Sequence, residues 1–169
     1  MKFLRKAKKL FWISSPFLLG LFLILFGQIS IPLVPYYHQS FPFIVGLIFY
    51  FSIFNPKILN VFLVFLLGLV MDMITILPLG FYTFGFMFIY FMVNLFQSYL
   101  LNMVFTQLWL VFILLFFCTD VIWVFLFFLI SGIWVSTGFW FVQYVFVCLT
   151  YPLFCRFYAF LNRKILEVQ

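Results

Sequence analysis

The sequence predicts an all-α integral membrane protein, a six-transmembrane-helix bundle, and three observations carry that expectation. Of its 169 residues, 69% are hydrophobic, 27% aromatic and only 7% charged, against roughly 25% charged in an ordinary soluble domain. Between Leu10 and Cys155 the formal charges are confined to Lys57, Asp72 and Asp120. Prolines, glycines and amides divide the rest into apolar runs near the ~20 residues that a helix rising 1.5 Å per residue needs to cross the hydrocarbon core. Spans and short connectors account for nearly the whole chain, so a single membrane domain over 1–169 is expected, with no room for a soluble domain of the usual ~100 residues.

The first span is expected at 12–31. It follows Lys2, Arg5, Lys6, Lys8 and Lys9, and its apolar run continues to Gln28, Pro32 and Pro35 without a small-residue cleavage pattern, so it reads as an uncleaved span rather than a secretory signal. The second, 41–54, opens at Pro42 and is short. Its 14 residues make about 21 Å of helix, so it must recruit Tyr36 to Ser40 or lie where the bilayer is thin. The third, 58–77, ends at Pro78-Leu79-Gly80, a break that turns the chain into the fourth, 81–101. The fifth and sixth are expected at 108–131 and 138–160.

Charge sets the topology. With six spans both basic termini and Lys57 fall on one side, while the opposite loops, 32–40, 78–80 and 132–137, contain no Lys or Arg; this places both termini in the cytoplasm. Five spans would put Arg163 and Lys164 on the wrong side. Tyr36, Tyr37, Tyr82, Trp134 and Trp140 read as one interfacial belt, and Trp12, Trp109 and Tyr158 as the other. The net charge of +6 is concentrated at the ends, including Arg156, and points to anionic lipid rather than nucleic acid. The 31 phenylalanines read as compositional drift and lipid-facing filler.

A carboxylate inside a span costs roughly 2.5 to 3.5 kcal/mol on insertion scales, so Asp72 and Asp120 each need a reason to be there. Asp72 lies four residues after Gly68, and the two share one helix face, the glycine leaving a groove beside the acid. Its depth matches the start of the next helix at Phe81–Phe84, whose unpaired N–H groups and positive dipole end favour an anion. A cap fixing the hairpin, a proton or ion site and a partner contact are the three roles open to it. Asp120, flanked by Cys118, Thr119 and Trp123, has no cation in easy reach and is either protonated, hydrogen-bonded internally or paired with another subunit; a structural role, a functional relay and an assembly contact are open to it.

The remaining residues offer little chemistry. His38 stands alone in an outer loop, and Cys118, Cys148 and Cys155 form no C-x-x-C pair, so neither a metal site, a disulfide framework nor a cofactor is expected. No serine sits in a G-x-S-x-G setting and no glycine loop could cradle phosphate, so the chain does not read as an enzyme. Gly20 and Gly27, seven apart on one face of the first helix, and Gly68 on the third offer small-residue grooves where a partner helix could pack, although internal packing is the commoner use of such faces.

Taken in order, several segments resemble the rod shape-determining protein MreD family: Gln28 to Pro32 at the close of the first span, Pro42 to Tyr50 in the second, and the G-x-x-x-D…L-G stretch Gly68, Asp72, Leu79 and Gly80. The fifth-helix Thr119-Asp120-Val121-Ile122 and the closing Tyr151-Pro152-Leu153 with Arg163-Lys164 continue the likeness. Pro78 departs from it, since the family more often has small or polar residues in that turn. The resemblance implies a fold similar to the substrate-binding subunits of energy-coupling-factor transporters. It also implies a non-enzymatic scaffold role in bacterial cell-wall elongation at the inner membrane, with MreC, the actin-like MreB, and RodA with its transpeptidase as partners. The alternative is a small-solute binding subunit of such a transporter, for which the spans supply Asp72, Asp120, Asn94, Gln97, Gln107 and Gln143 as the main polar groups.

Overall fold

A computed structural model describes the backbone of residues 2–27, 42–75, 78–132 and 137–166, and the side chains of 15–27, 42–75, 78–132 and 141–163. Seven helices and no strand occur among the described residues. They are α1 (Lys2–Gly27), α2 (Ile44–Phe54), α3 (Val61–Ile74), α4 (Phe81–Leu95), α5 (Gln97–Leu100), α6 (Phe105–Ser131) and α7 (Thr137–Leu166). Each expected span contains a helix; the fourth is broken at Phe96, so that α5 continues α4 after a turn. Two helical stretches, Phe105–Ser131 and Phe141–Arg163, are long and apolar enough to cross a membrane. The expected outer loop with His38, and the aromatic residues Trp12, Tyr36, Tyr37, Trp134 and Trp140, lie outside the described side chains.

The short α2 forms the axis of the bundle. Every residue from Ile44 to Ile53 is buried, and α1, α4, α5, α6 and α7 all pack on it. A helix that is apolar on all sides belongs in a core, which explains how 11 residues, about 16 Å of helix, suffice here. Its C-terminal carbonyls lack helical partners, and one of them, that of Ile53, accepts the Gln97 side-chain amide of α5 at 2.9 Å. Just beyond, the Asn55 side chain donates to that of Asn162 on α7. Asn60 then caps α3, its side-chain oxygen accepting the Leu63 N–H at 3.0 Å.

The outer helices are apolar on two faces. On α6, Leu108, Phe112, Phe116, Thr119, Asp120 and Trp123 point inward, while Leu110, Leu114, Phe117, Val121, Phe125 and Leu129 are exposed. Exposed rows of this length are foreign to a soluble monomer. Phenylalanine serves both faces: Phe49, Phe51, Phe86, Phe112 and Phe116 are fully buried, so the expectation of lipid-facing filler is corrected for these five, while Phe117 and Phe125 are exposed. Phe112 stacks on Tyr151 with centroids 4.1 Å apart, and Phe49 meets both edge-on. The aromatic-belt assignment is corrected at two positions. Tyr82 and Tyr158 are core residues, packed against Trp123 and Tyr50 respectively, because their rings fill space between helices.

Candidate functional site

Asp72 occupies the last turn of α3, is 2% exposed, and reaches across the turn to the start of α4. Its Oδ1 accepts the backbone N–H of Tyr82 at 2.7 Å. Its Oδ2 accepts the N–H groups of Gly80 at 2.9 Å and Thr83 at 3.3 Å, and the Thr83 hydroxyl at 2.6 Å. The N–H groups of a first helical turn have no acceptor within the helix, and the positive end of the helix dipole adds to their attraction for a carboxylate. A buried carboxyl group is thereby supplied with four hydrogen bonds.

Two glycines make this geometry possible. Gly80 adopts φ 102°, a left-handed conformation that L side chains rarely take, and its turn aims its own N–H back at Asp72. Gly68, one turn before Asp72 on the same face, lets α4 come against α3: a Cβ at that position would lie 2.6 Å from Thr83 Cα. Leu79, between these elements, is 71% exposed and packs little inside the bundle. Gly68, Asp72 and Gly80 therefore act together as a lock on the α3–α4 hairpin.

Asp120 is separate. It lies on α6, is buried, and its Oδ1 has no hydrogen-bond partner among the described residues. The adjacent Thr119 hydroxyl bonds back to the Leu115 carbonyl. It stands on the helix that packs against α7 as well as α4, whereas every hydrogen-bond partner of the Asp72 carboxylate lies on α4 or the turn before it. The two aspartates thus serve different helix pairs.

Pro152 lies inside α7. A proline has no N–H to offer the carbonyl four residues earlier, here that of Cys148. The indole N–H of Trp109 on α6 donates to that carbonyl at 3.1 Å, so the helix interruption is served by the neighbouring helix.

The small-residue faces read in the sequence as possible partner grooves are corrected. A Cβ at Gly20 would meet Leu67 Cδ1 and Cδ2 at 3.1 Å and Ile44 Cδ1 at 3.5 Å, and Gly68 is filled by Thr83. Gly27 is buried as well. The faces at Gly20 and Gly68 are occupied by the chain's own helices, whose close approach is what the missing side chains allow. Sequence reasoning missed Gly85, where a Cβ would fall 2.4 Å from Trp123 Nε1. Trp123 is fully buried, donates to the Phe81 carbonyl at 3.1 Å and touches the rings of Phe81, Tyr82, Phe86 and Phe116. No local signal links a glycine to a tryptophan 38 positions later.

The polar groups that a solute site would need are largely spent on the fold. Asn94 donates to the Tyr90 carbonyl, Gln97 to that of Ile53, and the Gln107 oxygen accepts the Val104 N–H. Among the described residues no group of three or more His, Cys, Asp or Glu side chains could hold a metal ion. Compared with family models, curated proteins and solved structures, the chain matches none.

Proposed function

We propose that this chain is a multi-pass protein of the bacterial cytoplasmic membrane, with six spans and both termini cytoplasmic, that serves as an MreD-type scaffold of the cell-wall elongation machinery. One observation carries the reading: Gly68, Asp72 and Gly80 of the family-like stretch converge on a single architectural lock rather than on an open pocket. An acid whose four contacts are all structural suits a protein that works by presenting a shaped surface. The apolar exposed rows of α6 and α7 support membrane embedding. In this role the chain binds MreC and, through it or directly, MreB and RodA with its transpeptidase.

Purification of the tagged, full-length chain in mild detergent from cells that also produce MreC tests the proposal. MreC is expected in the eluate, and the chain is expected to restore rod shape to cells depleted of their own MreD. Reporters after Gln169 and within 32–40 should lie on opposite sides of the membrane. If MreC never co-purifies while a small vitamin-like solute is retained at fixed stoichiometry, the transporter-subunit reading replaces this one. A periplasmic signal from the C-terminal reporter ends the six-span topology.

A further inference from the structure

A groove of about 450 Å³ runs between the start of α6 and the second half of α7, lined by Phe105, Pro152, Leu153, Cys155, Arg156 and Ala159. Its floor is apolar except at one point, the exposed guanidinium of Arg156. That cation has no carboxylate to pair with among the described residues. The chain has three acids in all: Asp72 is engaged by α4, Asp120 is buried at mid-α6, and Glu167 lies beyond the described segment. The groove also abuts the first residue of α6, the positive end of a 27-residue helix, which adds to the attraction for an anion. A long apolar trough with a lone unpaired cation at its rim is complementary to a molecule that joins an acyl chain to a negative charge.

We propose that this groove binds one anionic phospholipid, its phosphate on Arg156 and one acyl chain along Phe105, Leu153 and Ala159. The site rests on the membrane reading above but not on the scaffold role. In that topology the start of α6 and the end of α7 face the cytoplasmic leaflet, where anionic lipids gather and long basic side chains snorkel towards phosphates. Arginine suits the task because its planar fork donates two parallel hydrogen bonds to phosphate oxygens.

Full-length protein in mixed micelles of phosphatidylglycerol and phosphatidylethanolamine, with retained lipid counted by native mass spectrometry, provides the test. The wild type is expected to retain phosphatidylglycerol in preference. Arg156→Ala should lower that preference about fivefold, the size of one basic contact with an anionic surface, whereas Arg163→Ala leaves it unchanged and Arg156→Lys keeps part of it. Leu153→Trp, which fills the groove while sparing the cation, should reduce retention of both lipids and gives an answer even if Arg156→Ala fails to fold. Equal retention by wild type, Arg156→Ala and Leu153→Trp overturns the site, as does an equal fall with Arg163→Ala, which would make binding a matter of general positive charge. Equal uptake of the two lipids overturns its anionic selectivity. Recovery of the chain in the soluble rather than the membrane fraction overturns the membrane reading beneath the proposal, an outcome separate from loss of the site in a chain that stays in the membrane.

Discussion

The indole of Trp109 supplies to the Cys148 carbonyl the hydrogen bond that Pro152 withholds, at 3.1 Å across the α6–α7 contact. The proline and the tryptophan therefore form one unit although they stand 43 residues apart. Trp109→Phe should destabilise the protein by about 1 to 3 kcal/mol, the usual penalty for a buried carbonyl left unpaired. In a Pro152→Ala background the helix provides its own donor, and the same substitution should cost distinctly less. Thermal unfolding of the four proteins in one detergent completes the cycle; equal penalties in both backgrounds would remove the link.

The two aspartates should respond very unequally to an apolar replacement. Asp72→Ala leaves four donors unpaired at the start of α4 and should lower the melting temperature and accumulation sharply; Asp72→Asn keeps one acceptor oxygen and should fall between alanine and wild type. Asp120→Leu removes a buried oxygen that no hydrogen bond serves, and should be close to neutral for stability. Melting curves of the three variants, read beside cell shape, also test function. Under the scaffold role proposed above, a stable Asp120→Leu protein that fails to support rod growth assigns this acid a task beyond folding.

Glycine substitutions should rank by what stands in the way. Gly68→Ala drives a methyl into the backbone of Thr83, and Gly85→Ala into the ring of a fully buried tryptophan, so both should prevent normal accumulation. Gly20→Ala meets only the ends of Leu67 and Ile44, which can shift, and should be tolerated. Fluorescent-fusion levels in membranes give the comparison. If Gly20→Ala is as damaging as Gly68→Ala, the packing account fails.

Gly80→Ala isolates the backbone contribution to the hairpin lock. Nothing lies within 4 Å of the added Cβ, so steric crowding is excluded and only the left-handed φ remains. The loss should be about 1 to 2 kcal/mol. Gly80→Asn, which tolerates that conformation better, should recover part of it in the same unfolding assay.

Helix positions were legible because apolar runs and their breaks are local properties of the chain. The anion-seeking start of α4 beside Asp72 was legible for the same reason: the acid and its donors lie 8 to 11 residues apart across one turn. The pairings of Trp109 with Cys148 and of Gly85 with Trp123 depend on helices that meet only in the folded bundle, and periodicity carries no record of which faces meet. Tyr82 and Tyr158 show a related difficulty. In an apolar chain an aromatic near a span end looks the same whether its ring faces lipid or core. The grooves at Gly20 and Gly68 were visible as grooves, but not as grooves already filled.

The burial of α2 on every side bears on how the protein is made. At about 16 Å this helix is too short to span the roughly 30 Å hydrocarbon core alone, and its terminal backbone groups would meet lipid if it were left uncovered. Two of the helices that cover it, α4 and α7, follow it in the sequence and are synthesised after it. During synthesis α2 therefore emerges before the helices that cover it, and a nascent chain arrested before α7 holds a wholly apolar helix with part of its surface uncovered, which chaperones must shield and quality-control proteases can recognise.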